Sequence, residues 1–173
     1  MRCLMNIQEI IIRDAKIGDE YQLAELSVVC WRQTYLGLMD DLILESMNID
    51  ERLYGFAAAL RSFNTKFLVA ELHGKLLGFI SYGSSRIQQS GLEIYAFYIE
   101  KNFQGMKIGS RLLRAAEGQI RISQVSRLWV CTLSSNVSAQ EFYIKNNFVM
   151  SPLMKSFCIQ GFSYPEFVMY KLL

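Results

Sequence analysis

The chain is 173 residues long, 51% apolar and 20% charged, the balance of a globular domain with enough length to bury a core. A formal net charge of +2 at pH 7, with no lysine/arginine run, argues against a nucleic-acid-binding surface. The four cysteines at 3, 30, 131 and 158 form no C-x-x-C pair and His73 is the single histidine, so reduced thiols in a cytoplasmic protein without metal are expected.

The N-terminal run MRCLMNIQEIIIRD has no extended apolar region and no small-residue cleavage site, so neither a signal peptide nor a membrane span is expected. Ile7 to Arg13 reads as a strand. Asp14 to Asp19 is a turn with Gly18, and Asp19 is placed to cap a helix from about Glu20 to Tyr35. That helix carries an apolar stripe of Leu23, Leu26 and Val29 or Cys30. Trp31 and Tyr35, four apart, share a face, and Gly37 ends the helix. Leu38 to Asn48 is a short apolar–acidic piece, and Asp50 opens a second helix to about Arg61. After a turn at Ser62 to Thr65 come two strands, Lys66 to Leu72 and Leu76 to Gly83, joined by a tight loop at His73, Gly74 and Lys75. Ser84 to Ser90 is a polar connection.

The centre of the chain is a strand, Leu92 to Glu100, rich in β-branched and aromatic residues. A turn at Lys101 to Gly105 leads into a helix, Ile108 to Ile122, whose Ile108, Leu112, Leu113 and Ala116 form one stripe. Arg127 to Leu133 is nearly continuously apolar, as in a strand buried on both faces. Asn136 to Lys145 is a helix that Ser135 or Asn136 can cap, and Asn146-Asn147 can close it in left-handed geometry. Phe148 to Phe157 and Pro165 to Leu172 are two final strands around Gly161. The order predicts one α/β (α+β) domain over the whole chain, a mixed sheet with helices on both faces.

Between the central strand and helix lies Gln104-Gly105-Met106-Lys107-Ile108-Gly109-Ser110. Small residues there let backbone approach a ligand closely. Unpaired N–H groups at a helix start, with the helix dipole behind them, favour an anion. The residues point to a pyrophosphate cradle, or to a strand–turn–helix whose glycines only reverse the chain.

The same loop resembles the Q/R-x-x-G-x-G/A acetyl-CoA loop of the GCN5-related N-acetyltransferase (GNAT) superfamily. EIYAFYIEKNFQG before it and NVSAQEFYIKNNF after it resemble the flanking family segments in the same order. The likeness covers nearly the whole chain and is strongest from Leu92 to Phe148. Lys107 stands where the first glycine of the pair is usual. It keeps the backbone N–H and adds a cation, provided that position does not need a positive φ.

The resemblance implies a single-domain GNAT fold, with a mostly antiparallel sheet and a splayed central strand pair. It implies acetyl-CoA as co-substrate, no metal, and transfer to a primary amine, taken here as that of a small molecule attacking directly in a ternary complex. The other readings are a protein N-terminal or lysine acetyltransferase and a non-catalytic acyl-CoA sensor. Gln104 to Ser110 would hold the pyrophosphate. Phe97, Tyr98 and Ile99 would offer backbone groups to the pantetheine arm, which a β-bulge would free. Asn136 resembles the asparagine that meets the CoA arm, and serves equally as a helix cap.

Tyr143, in Ala139-Gln140-Glu141-Phe142-Tyr143, resembles the tyrosine of the A-x-x-F-Y-x-x-x-G-F segment that protonates the CoA thiolate. A phenol suits that step, and a tyrosine packed at a helix end is the other reading. Asn147 replaces the usual glycine and is the next best residue for positive φ. Glu93, eleven residues before Gln104, resembles the general-base glutamate of the histone-acetylating branch. Partial burial would raise its pKa toward that of a base; an acid that merely opens the strand and faces water also fits. Trp31, Tyr35 and Leu36 to Asp41 resemble the W-x-x-x-Y-x-G-L stretch that walls the acceptor pocket in a small-molecule-directed branch. The two rings are expected to receive a cation and Asp40 and Asp41 to attract it, or else to be a packed pair and solvated acids. The expected partner is a small-molecule amine, with no nucleic acid or membrane, and a homodimer is left open.

Overall fold

The computed structural model describes residues 9–87 and 90–173. Its strands are β1 (Ile11–Asp14), β2 (Thr65–Leu72), β3 (Lys75–Ser84), β4 (Leu92–Ile99), β5 (Arg127–Leu133), β6 (Val149–Ile159) and β7 (Phe162–Leu172). The helices are α1 (Glu20–Tyr35), α2 (Asp41–Glu45), α3 (Ile49–Arg61), α4 (Ile108–Ile122) and α5 (Val137–Lys145), with a 3₁₀ turn at Lys101–Phe103. The strands form one sheet in the order β1-β2-β3-β4-β5-β7-β6. Every neighbouring pair is antiparallel except β4–β5. Among the described residues no helix is long and apolar enough to cross a membrane.

Strand alternation divides the core between the two faces. In β2, Leu68, Ala70 and Leu72 join Ile108, Leu112, Leu113, Ala116 and Ile120 of α4 in one cluster. Phe67 and Val69 face the other way, onto Leu23, Leu26 and Cys30 of α1, with Phe56 of α3 beside them. The α4 stripe read from the sequence is buried as expected. In α1 the third stripe position goes to Cys30, 2% exposed, and not to Val29, 39% exposed. A third cluster ties Trp31, Met39, Ile43 and Leu44 to Leu133 of β5 and Phe157 of β6. It anchors the α1–α2 segment over the far half of the sheet.

Several local expectations are corrected by long-range partners. The Asp19 side chain makes no capping bond to α1. Arg13 of β1 claims its carboxylate through Nη1 at 2.7 Å and Nη2 at 3.0 Å, and the Lys16 N–H donates at 2.9 Å. Burial alone would raise this carboxyl, but those bonds outweigh it and hold Asp19 below the usual carboxylate range. The first strand begins at Ile11, and Ile7, Gln8 and Cys3 lie outside the described residues. The last two strands are longer than their apolar pattern suggested, because they pair with each other almost to the turn at Gln160 and Gly161. Asn136 caps α5, its Oδ1 accepting from the Ala139 N–H at 3.1 Å, and Asn147 adopts φ 66°.

Candidate active site

The site is made by a ladder that stops. β4 and β5 pair only from Leu92 to Ile94 against Leu128 to Val130. Beyond Ile94 each strand follows its other neighbour, β4 along β3 and β5 along β7. At that point Tyr95 is an extra residue in β4, since Ser81 faces Ala96 while Tyr82 faces Ile94. The Tyr95 hydroxyl donates to the Ser84 carbonyl at 2.6 Å. Gly83 makes room for it: a Cβ there would lie 2.7 Å from that hydroxyl and 2.5 Å from the Asn64 carbonyl.

Pairing parity then decides which backbone groups the gap receives. The Glu100 N–H donates to the Leu77 carbonyl at 2.8 Å, so Tyr98 opposite Phe79 and Ala96 opposite Ser81 bond to β3. Phe97 and Ile99 turn their N–H and C=O groups toward the gap. The Ile99 carbonyl accepts from Gln104 Nε2 at 3.0 Å, which ties the loop to the strand end. Of the three residues expected to serve the arm, Phe97 and Ile99 thus present backbone to the gap, whereas the Tyr98 backbone belongs to β3.

On one side of the gap is a cleft of about 660 Å³. Its floor is β4 and β5, and its walls are the 101–110 loop with the start of α4 and, opposite, Asn136, Phe142 and Tyr143. No side chain caps α4, and its first backbone bond runs from the Arg111 N–H to the Lys107 carbonyl. The N–H groups of Ile108, Gly109 and Ser110 therefore have no acceptor within the helix. Gly105 has φ 78° and Lys107 φ 61°. Lys107 thus occupies the left-handed backbone that a glycine would supply, and the condition set for it from sequence is not met. Gly109 lets α4 approach α5: a Cβ there would be 3.2 Å from Phe142. Thr132, on the floor, has a buried hydroxyl with no hydrogen-bond partner among the described residues.

These features fit a phosphorylated thioester. The helix start suits a pyrophosphate, the Phe97 and Ile99 backbone an amide-bearing arm, and the orphaned Thr132 hydroxyl a polar group beside it. Replacing Lys107 with glycine is expected to leave the fold and acetyl-CoA affinity intact, because the backbone already has glycine geometry. Replacing it with valine should cost about 1–2 kcal/mol of stability and weaken acetyl-CoA binding, since a β-branched residue at positive φ is strained. Thermal unfolding with and without acetyl-CoA measures both.

Tyr143 is 5% exposed. Its ring packs against Phe148, Phe142 and Phe97 at centroid distances of 5.1, 5.4 and 6.4 Å. Burial, with a smaller contribution from Tyr35, pushes its hydroxyl well above the usual tyrosine range.

On the other side of the sheet a cavity of about 690 Å³ is bounded by α1, α3, β6 and β7. It meets the cleft at Tyr35, Ile94, Tyr95, Ala96, Tyr98 and Cys131, which line both. Tyr35 and Tyr98 meet at this junction, where burial raises both hydroxyls above the usual tyrosine range.

Three expectations change here. Glu93 lines the cavity and is 2% exposed, but both its oxygens are engaged. Oε1 accepts from Arg86 Nη2 at 2.6 Å and Oε2 from the Arg86 N–H at 2.7 Å. Arg86 also lies 4.1 Å over the Tyr95 ring, so Glu93 enters the cavity as half of an ion pair. Trp31 is 7% exposed. Arg52 covers its ring at 5.6 Å, and its aromatic neighbours are Tyr35 at 4.5 Å and Phe157 at 5.8 Å. It is wall, with its cation already supplied by the protein. Asp40 caps α2, its Oδ1 accepting from the Leu42 N–H at 3.0 Å, and neither it nor Asp41 lines the cavity.

A further acid that lines this space is Glu166 of β7, absent from the sequence expectations. The available signal was a lone acid in the otherwise apolar YPEFVMY strand. Burial raises its carboxyl above the usual range, opposed by Lys155.

Comparison with known proteins agrees with this architecture. Residues 21–148 match the model of the acetyltransferase (GNAT) family. The sequence is 28% identical over 131 residues to an uncharacterized N-acetyltransferase of Bacillus subtilis (strain 168), covering 75% of each chain. The crystal structure of a PaiA N-acetyltransferase from Thermoplasma acidophilum in complex with coenzyme A superposes with a TM-score of 0.76 at 23% identity, over 95% of this chain and 99% of that one. A ribosomal-protein-alanine N-acetyltransferase from Brucella melitensis superposes with a TM-score of 0.72 at 21% identity, over 94% and 99%.

Proposed function

The chain belongs to the acetyltransferase (GNAT) family and is an acetyl-CoA-dependent N-acetyltransferase; on that premise we propose that its acceptor is the primary amine of a small molecule. The amine attacks the thioester directly in a ternary complex, with the whole chain acting as one domain. The observation that carries this reading is the second cavity. Its volume is that of a small-molecule site, and it reaches the cleft through six shared residues at the splayed strand ends.

The loop from Gln104 to Ser110 holds the pyrophosphate and Phe97 and Ile99 align the arm. Holding both reactants beside each other supplies several kcal/mol of the rate enhancement. Tyr143 gives a proton to the departing sulfur. Tyr35 and Tyr98 frame the passage between the two sites. Glu93 fixes Arg86 over Tyr95 and so keeps the bulge in shape.

A panel of primary amines (a polyamine, lysine and an aminoglycoside) assayed by CoA release, beside peptides with free N-termini, tests the acceptor class. Turnover on at least one small amine, exceeding that on any peptide tenfold or more in kcat/KM, is expected. Efficient acetylation of peptides with no small-amine turnover would replace this reading by the protein-acetylating one.

A further inference from the structure

The second cavity holds three acidic and three basic side chains: Glu51, Glu93 and Glu166, and Arg52, Arg86 and Lys155. Two of the bases are committed. Arg86 is bound to Glu93, and Arg52 lies over Trp31 and donates to the Met47 sulfur at 3.3 Å. Glu51 is exposed at the rim. Glu166 is different: it is half-buried and has neither a hydrogen bond nor an ion pair from any described residue. Lys155, its cross-strand neighbour on β6, is exposed and stays beyond ion-pairing distance.

We propose that Glu166 is the carboxylate that binds the acceptor's ammonium and takes its proton. This rests on the small-amine reading above. An N–H bond of the ammonium breaks and an O–H bond forms on Glu166. The electron pair left on nitrogen makes the C–N bond to the thioester carbon, and the C–S bond breaks. Tyr143 protonates the sulfur and recovers a proton from the acylated nitrogen, while Glu166 returns its own to water.

Position supports the assignment. Glu166 pairs with Leu133 at the end of β5, two residues beyond Cys131. Its charge is felt at both Cys131 and Tyr35, which line the passage to the cleft. An unpaired carboxyl in such a place lacks the partner that half-burial demands, and an ammonium supplies it. The groups that face it are Lys155 from β6, Cys131 from β5, Glu93 from β4, Arg86 from the β3–β4 connection and Tyr35 from α1, with Arg52 and Glu51 across the cavity on α3. Burial is the largest influence on its ionisation and Lys155 opposes it, leaving the carboxyl raised. A base poised that way accepts a proton more readily than an ordinary surface glutamate.

The test separates binding from chemistry. n-Hexylammonium and 1-hexanol are titrated calorimetrically into the CoA-saturated wild type and Glu166→Gln. Hexylammonium should bind the wild type at least tenfold more tightly than Glu166→Gln, with hexanol unchanged. Lys155→Ala should tighten hexylammonium binding further. Equal hexylammonium affinity in wild type and Glu166→Gln overturns the assignment, whatever the turnover. With the best amine of the panel, kcat/KM of the wild type should rise with pH through a midpoint above the ordinary carboxylate range. Glu166→Gln should lose that limb and about tenfold in kcat, keep its acetyl-CoA KM, and be partly rescued as Glu166→Asp. A limb that survives in Glu166→Gln overturns the proton-taking role. A binding difference without turnover on any panel amine supports the cation site and counts against the small-acceptor reading instead.

Discussion

The double substitution Gly105→Val, Gly109→Val is expected to abolish acetyl-CoA binding, by a factor of 100 or more, in a protein that still folds. The two glycines act for different reasons. Gly105 has φ 78° with open space around it. A valine there meets no neighbour but cannot hold that backbone without strain, so the loop relaxes to negative φ and the N–H groups after it re-aim. Gly109 has ordinary φ and a crowded surrounding. Its missing Cβ is the space taken by Phe142, which in turn lies 5.4 Å from the Phe97 ring. A branched side chain at Gly109 pushes α4 from α5 and alters the cleft between them. Pyrophosphate recognition depends on several N–H groups converging at once, so moving both the loop and the helix start removes it. The fold should survive, because the buried stripe of α4 begins at Ile108 and continues through Leu112, Leu113, Ala116 and Ile120, none of which is touched. Calorimetric titration with acetyl-CoA, beside a far-ultraviolet dichroism melt, reads both outcomes. Wild-type affinity in a folded double variant would show that the helix start is not the anion site.

The parts of this molecule that were legible in the sequence are those governed by local periodicity. α1, α4 and β5 begin and end where their residue patterns begin and end, since each alternates or repeats along a face that is either buried or not. What was not legible depends on residues far apart in the chain. Asp19 has the position and chemistry of a helix cap, but Arg13 approaches from the neighbouring strand and a bidentate ion pair outcompetes the cap. Trp31 carries an open aromatic face as a sequence and a covered one as a structure, because Arg52 reaches it from α3. Glu93 reads as a buried acid in want of a partner, and Arg86 is that partner.

The candidate site divides along the same line. The anion loop and Tyr143 are sequential motifs. The second cavity is assembled by a sheet order in which β7 inserts between β5 and β6. Only that order brings Glu166 opposite Leu133 on one side and Lys155 on the other. No pattern along a single strand encodes it.

Tyr143→Phe is expected to lower kcat by about 100-fold while leaving the dissociation constant of acetyl-CoA unchanged. The substitution keeps the ring that packs on Phe142 and Phe148, so stability should shift by no more than about 1 kcal/mol. The hydroxyl is what is lost, and its environment defines its task. Burial holds it protonated far beyond neutral pH, so it meets the reaction as a donor. The same burial opposes a free tyrosinate, so the proton can leave only as another arrives. The acylated nitrogen, which carries excess proton once the C–N bond has formed, is the available source. In the proposed mechanism Tyr143 would pass a proton on without resting as an anion, and its benefit would appear as charge develops on sulfur, not when the thioester binds. A single-turnover experiment with saturating acetyl-CoA isolates that step from product release. If Tyr143→Phe turns over its best amine at the wild-type rate, the tyrosine is a packing residue and sulfur leaves without its help.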